Sequence, residues 1–185
     1  LPYVWSNAVD CTQNAKPMAR ALVVDYQDDP TVHAIADQWL FGDDLMVAPV
    51  CHAGTQRKVY FPQGGWRDWW TGERITGPCW RTVDVSAETL PLYAREGAVI
   101  PLGPVMNFVG EKPTDTLELV VAPFASQGSA RRTLHLDEGD LVVSCRAEEG
   151  ANHLEIHQAP AGIALESRAL DNSEIPIRRA MKGKS

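Results

Sequence analysis

The chain has 185 residues, is 44% hydrophobic and carries a formal net charge of -7. It is long enough for one domain or two small ones and apolar enough for a packed core, which speaks against intrinsic disorder. The acidic balance disfavours nucleic acid and anionic membranes as partners, and no run approaches the roughly 20 apolar residues of a membrane span.

Leu1 to Asn14 places Tyr3, Val4, Ala8, Cys11 and Thr12 near helical spacing, and Lys16-Pro17 ends that helix, because the residue before proline is driven out of the α region. Met18 to Tyr26 reads M-A-R-A-L-V-V-D-Y, a nearly unbroken apolar run that suits a strand buried on both faces in a parallel sheet. Asp29-Pro30 then starts a second helix, Asp29 as the cap and Pro30 at its first position. Thr31 to Phe41 continues it, with Gly42 as its stop. One helix–strand–helix unit cannot complete a parallel sheet alone. The expectation is that the first 45 or so residues close a barrel or doubly wound domain whose other units precede Leu1.

From Leu45 onward the pattern is almost wholly β. Strands are expected over Leu45–Val50, Arg57–Pro62, Trp66–Trp70, Trp80–Val85, Leu92–Arg95 and Ala98–Leu102, with turns at Gln63-Gly64-Gly65 and Thr71–Arg74. Gly110 to Asp115, polar and proline-containing, is the best boundary. Leu117–Ala122, Arg131–Leu136, Leu141–Cys145, Asn152–His157 and Ile163–Ala169 read as further strands, and the basic residues 178–185 as a frayed end. Short strands at this spacing indicate a sandwich or small barrel.

Six acidic residues, Asp25, Asp28, Asp29, Asp37, Asp43 and Asp44, invite an acid–base reading in which one carboxyl is protonated and another is not. Asp25 is the most interesting, because it ends an apolar strand, where barrel enzymes place catalytic groups. Asp28 and Asp29 are more simply a turn and a cap, and Asp43-Asp44 a turn pair. Trp66, Trp69 and Trp70 could form a flat sugar-stacking platform, although packing explains large aromatics more simply. His135 and Asp137 share a strand face and read as a polar edge. Cys11, Cys51, Cys79 and Cys145 form no C-x-x-C and read as free thiols. No Gly-rich phosphate loop, G-x-S-x-G or H-E-x-x-H occurs, and neither a metal nor a cofactor is expected.

Five ordered blocks carry a more specific signal. They are L-P-Y-V-W-S (1–6), K-P-M-A-R-A-L-V-V-D-Y-Q-D-D-P (16–30), D-Q-W-L-F-G-D-D-L-M-V-A-P-V (37–50), V-Y-F-P-Q-G-G-W-R-D-W-W-T-G-E-R (59–74) and L-P-L-Y-A-R-E-G-A-V-I-P-L-G-P (90–104). Together they resemble the C-terminal part of glycoside hydrolase family 31, which includes α-glucosidases and α-xylosidases. L-H-L-D-E-G-D (134–140) is similar to a stretch of the family's distal domain. The resemblance implies a mainly β chain: the last helix–strand–helix stretch of a (β/α)8 barrel over residues 1–44, a proximal β-sandwich over 45–109, and a distal, smaller β domain over 110–185.

It also implies a retaining mechanism on an α-linked oligosaccharide or glycoside, with one aspartate as nucleophile and a second as acid and base. Both belong to stretches upstream of L-P-Y, and nothing like the family's W-x-D-M-N-E nucleophile stretch stands in this sequence. No catalytic, cofactor-binding or metal residue is therefore assigned. Three roles follow as expectations: a hydrolase tail that supports the barrel and is inactive alone; a non-catalytic carbohydrate-binding module using Trp66, Trp69, Trp70 or Trp80; and a purely structural piece exposing an apolar face from Met18 to Val24.

Overall fold

The computed structural model describes residues 1–86, 88–149 and 151–180. Helix α1 spans Pro2–Asn14 and ends at Ala15 in the left-handed region, φ 53°, whose amide returns to the Cys11 carbonyl. Its buried face carries Tyr3 and Ser6.

The expected buried parallel strand is not found. Only Ala19–Ala21 (β1) is extended, and it pairs antiparallel with Trp39–Phe41 (β2). Leu22–Val24 then coils into a 3-10 turn. The physical reason is Arg20. Its side chain points inward while those of Ala19 and Ala21 are exposed, and a buried guanidinium needs internal acceptors. The chain turns after Ala21, and that turn brings Asp25 back to Arg20.

The second expected helix is also replaced. Asp29 caps as read, accepting from the Thr31 amide at 2.9 Å, but the helix is a 3-10 segment over Pro30–Ala34 only. Gln38 explains the change. It is 2% exposed. Its side chain donates to the Tyr60 carbonyl at 2.6 Å and accepts from the Tyr60 amide at 3.0 Å. That match demands extended backbone beside residue 60, so tertiary pairing overrides helical propensity. Gly42 becomes the tight turn between β2 and Leu45–Val47 (β3). It has φ +65°, and an added Cβ would lie 2.3 Å from Tyr3 Oη and Asn7 Oδ1. Helix α1 therefore presses directly on this turn.

Gln56–Asp68 (β4) is one strand, not two. The expected turn at residues 63–65 is a bulge: Phe61 pairs with Cys79 and Gly64 with Gly77, leaving Pro62 and Gln63 opposite Pro78 alone. Arg74–Asp84 (β5) completes a long hairpin. Leu92–Arg95 (β6) inserts between β3 and β4, giving a six-stranded sheet in the order β1-β2-β3-β6-β4-β5. Its core holds Leu22, Leu40, Met46, Phe61, Trp66 and Tyr93. Phe61 meets Tyr93 edge-on at 4.7 Å, a favoured aromatic geometry.

The second half is a sandwich. Val99–Leu102 (β7), Thr116–Val121 (β8) and Ala164–Ala169 (β12) form one sheet. Gly128–Leu136 (β9), Gly139–Glu148 (β10), Ala151–Gln158 (β11) and Ile177–Arg179 (β13) form the other. Leu119 and Val121 face Leu141, Val143, Cys145 and Leu154 across the core. Strand β13 has no counterpart in the sequence reading. Residues 110–115 connect β7 to β8, two strands of the same sheet. Of the expected frayed basic end, 181–185 lie outside the described residues.

A third cluster ties the halves together. Val120 and Ile100, on the back of the sandwich, meet Tyr3 of α1 and Leu45 and Ala94 of the first sheet. Tyr3 Oη donates to the Phe41 carbonyl at 2.7 Å, and the His135 amide donates to Ser6 Oγ at 3.0 Å.

Candidate functional site

The densest group of ionisable side chains lies where α1, the β2–β3 turn and β9 converge. Arg20 is its centre. Nε and Nη2 donate to the two oxygens of Asp25 at 2.9 and 2.7 Å. Nη2 also reaches Asp43 at 2.8 Å, and Nη1 the Gly42 carbonyl at 3.0 Å. Lys16 Nζ lies 2.8 Å from Asp43 and 3.4 Å from Asp25. The β2–β3 turn also delivers Asp44, 3% exposed, to Arg132 on β9. Arg132 Nε meets both carboxylate oxygens at 3.0 and 3.1 Å, and Nη2 lies 2.5 Å from Oδ1. This pair spans 88 residues of chain and joins the sandwich to the first sheet.

The electrostatics follow from these contacts. Burial opposes ionisation of Asp25, but the Arg20 hydrogen bonds and charge, aided by Lys16, outweigh it and hold the carboxyl below its ordinary range. Asp43 behaves alike: burial pushes it up, and Lys16 and then Arg20 bring it down further. Burial alone would lower Arg132, yet Asp44 keeps it more firmly protonated than a free arginine. A glycosidase needs one carboxyl that keeps its proton near neutrality and another, roughly 5 Å away, that does not. Asp25 and Asp43 are both locked in the ionised form by shared cations, so neither can serve as the acid.

Of the other acidic candidates, Asp29 and Asp37 are equally engaged and Asp28 is not. Asp29 caps its turn and accepts from Tyr60 Oη at 2.5 Å. Asp37 pairs with Arg57 at 3.2 Å. Asp28 sits exposed in a turn. Asp43 and Asp44 lie in the β2–β3 turn as read, and Asp44 is in addition a clasp on Arg132, a role invisible without knowing that Arg132 returns to it. His135 bonds Asp140 through Nδ1 at 2.8 Å and faces Asp10 of α1 through Nε2 at 3.5 Å. Its partner is thus the residue across the β9–β10 hairpin, and not Asp137.

Two further arrangements suggest chemistry and do not support it. Ser144 Oγ and Glu155 Oε2 both approach Nε2 of His157, at 2.8 and 3.8 Å; a serine triad needs the acid on the opposite ring nitrogen. The histidines were expected to show no i, i+4 metal spacing, yet His153 and His157 on β11 are four apart. Four strand residues span roughly 13 Å, too far for one ion. No group of three metal-ligating side chains occurs among the described residues. All four cysteines are free, and burial pushes the Cys145 thiol up to about 12.

The tryptophans do not form one platform. Trp66 is fully buried, its indole donating to the Pro62 carbonyl at 2.9 Å. Trp69 packs against the third cluster. Trp70 is 57% exposed at the β4–β5 hairpin end and bonds the Leu90 carbonyl. Trp80, 43% exposed, pairs with Tyr60 nearer the open end of the hairpin, with Lys58 over its ring.

Residues 15–100 match the glycosyl hydrolase family 31 C-terminal domain. Alpha-glucosidase 2 of Bacillus thermoamyloliquefaciens is 33% identical over 140 residues, covering 75% of this chain and 18% of that protein. A family 31 dextranase of Flavobacterium johnsoniae, complexed with isomaltotriose, superposes with a TM-score of 0.82 at 25% identity, over 91% of this chain and 23% of that one. A family 31 alpha-xylosidase of Xanthomonas citri gives a TM-score of 0.80 at 28% identity, over 94% of this chain and 20% of the other. In sequence and in fold the chain corresponds to the C-terminal part of glycoside hydrolase family 31. It spans about a fifth of the length of these relatives.

Proposed function

We propose that this chain is the C-terminal portion of a retaining α-glycoside hydrolase of the α-glucosidase or α-xylosidase type. It supports a catalytic barrel formed by preceding polypeptide and does not cleave glycosides by itself. Residues 1–44 then lie against that barrel, 45–109 supply the proximal β domain and 110–185 the distal one. The observation that carries this reading is the state of the carboxylates: Asp25, Asp43 and Asp44 are each closed by a guanidinium or ammonium group, so none of the three is free to attack or protonate a glycosidic bond. The outer edge of β1 adds support. It ends the sheet with Ala19 and Ala21 exposed, a small, flat surface suited to another element.

Purified chain 1–185 should show no turnover of 4-nitrophenyl α-glucoside or α-xyloside above buffer, because both carboxylate functions are missing. Robust turnover would overturn the reading. A family 31 enzyme cut back before the stretch corresponding to Leu1 should lose its soluble fold. A binding module gains little support, since Trp66 is interior and the two most exposed indoles of the hairpin lie at separate places along it.

A further inference from the structure

One cavity of about 360 Å³ is lined by Lys16, Arg95, Arg131, Arg132 and Thr133, together with Asp10, Asp25 and Asp43. Its charges do not cancel. Lys16, Arg20 and Arg132 are matched by Asp25, Asp43 and Asp44 in the pairs described above. Asp10 faces His135. Two guanidinium groups then have no ion-pair partner of their own among the described residues, and they outnumber the one remaining carboxylate of the lining, that of Asp10. Arg95 Nε and Nη2 are buried and have no hydrogen-bond partner among the described residues. The group is held only by the faces of Tyr26 and Trp66, 5.6 and 5.4 Å from the ring centroids. Arg131, exposed on β9, has no carboxylate within ion-pairing distance among the described residues.

The backbone brings the two together. The Arg95 amide donates to the Asp44 carbonyl at 2.8 Å, and the Asp44 carboxylate holds Arg132, the neighbour of Arg131. A half-buried guanidinium with two buried, unmet donors is costly, and its planar fork matches the oxygens of phosphate or carboxylate. Stacking on Tyr26 and Trp66 fixes its plane in advance, so little freedom is lost when an anion arrives.

We infer that this cavity is a binding site for a phosphate-sized oxyanion, gripped by Arg95 and Arg131, with Lys16 and the Thr133 hydroxyl at its rim. The inference does not depend on the reading of the chain as a hydrolase portion, although both use the ion pairs of Asp25, Asp43 and Asp44. An anion carrying two charges and three free oxygens satisfies both forks, whereas a monocarboxylate satisfies one.

Calorimetric titration of chain 1–185 with inorganic phosphate at low ionic strength tests it. The expected result is saturable one-to-one binding with Kd near ~1 mM, weakening as salt is added. Acetate serves as the second probe and should bind roughly tenfold more weakly. Arg131→Gln, at an exposed position, should weaken phosphate roughly tenfold and leave the melting temperature unchanged. Arg95→Gln should abolish binding; if that variant does not fold, Arg131→Gln carries the test. Heats that do not saturate, acetate binding as tightly as phosphate, or an Arg131→Gln chain that binds like the parent would each overturn the assignment.

Discussion

The two halves of the molecule are held by different forces. The sandwich of β7 to β13 closes over an apolar interior in which Leu119, Leu141, Val143 and Leu154 are wholly buried. The first sheet has an aromatic core of its own, but its opening segment is fastened by charge, Arg20 with Asp25 and Asp43, and its junction with the sandwich adds the Asp44–Arg132 pair to the third apolar cluster. Apolar burial tolerates a change of neighbour at modest loss, because it has no direction. A buried ion pair does not, because removing one partner strands the other charge.

The largest expected effect tests that contrast at the junction. Asp44→Ala leaves Arg132 without its carboxylate and should destabilise the chain by about 3–5 kcal/mol. The double variant Asp44→Ala with Arg132→Met should recover a good part of that loss. Denaturant melts of the two single variants and the double give the coupling directly. Additive losses would show that the pair is not the fastening.

Next in size is the apolar counterpart. Leu141→Ala in the sandwich should cost about 2–4 kcal/mol through lost burial and the cavity left behind. Its hydrogen-exchange signature should differ from that of Asp44→Ala. Protection should fall first in β10 and β11 for Leu141→Ala, and first at the β2–β3 turn and β9 for Asp44→Ala. Identical patterns would mean that the halves unfold as one unit.

This division of forces also sets what was legible in the sequence. Strands such as Leu92–Arg95 and Leu117–Ala122 were read within a residue or two, because a short apolar run bounded by turn residues is visible locally. The stretch 18–41 was misread twice. Its apolar letters suit a buried strand and its cap suits a helix, yet Arg20 seeks Asp43 and Gln38 seeks Tyr60, partners 22 or 23 residues away. No local pattern announces such a pairing. Gly64-Gly65 reads as a turn for a similar reason, since only the opposing Gly77-Pro78 converts it to a bulge. The five family blocks, by contrast, pointed to the right family. They could not show that each of the six aspartates singled out there is held in an ion pair or cap or lies in a turn.

Acid should break the contrast more gently. Asp25 and Asp43 titrate lower in the folded chain than in the unfolded one. Their contribution is therefore fully present above the unfolded carboxylate value of about 3.9 and is lost as pH falls through the lower folded values. Between about pH 5 and pH 2 the β1–β2 region should lose amide protection before β10 and β11 do. Asp25→Asn with Asp43→Asn should flatten that dependence. Simultaneous loss in both halves would show that the charges around Arg20 do not set the acid response.

The smallest expected effect concerns the exposed rings. Trp80 is 43% exposed and covers Tyr60 at 5.1 Å, with Lys58 over its outer face. Trp80→Ala removes a tilted aromatic pair and one exposed cation–π contact, about 1 kcal/mol in all. Tyr60 keeps its backbone bonds to Gln38, so the sheet should remain intact. If the hairpin is scaffolding, titration of the parent chain with maltose should leave tryptophan fluorescence unchanged, and Trp80→Ala should alter stability alone. A saturable maltose response in the parent that vanishes in Trp80→Ala would instead give the charged, aromatic end of the β4–β5 hairpin a sugar-binding role of its own, and would make the first sheet more than a support.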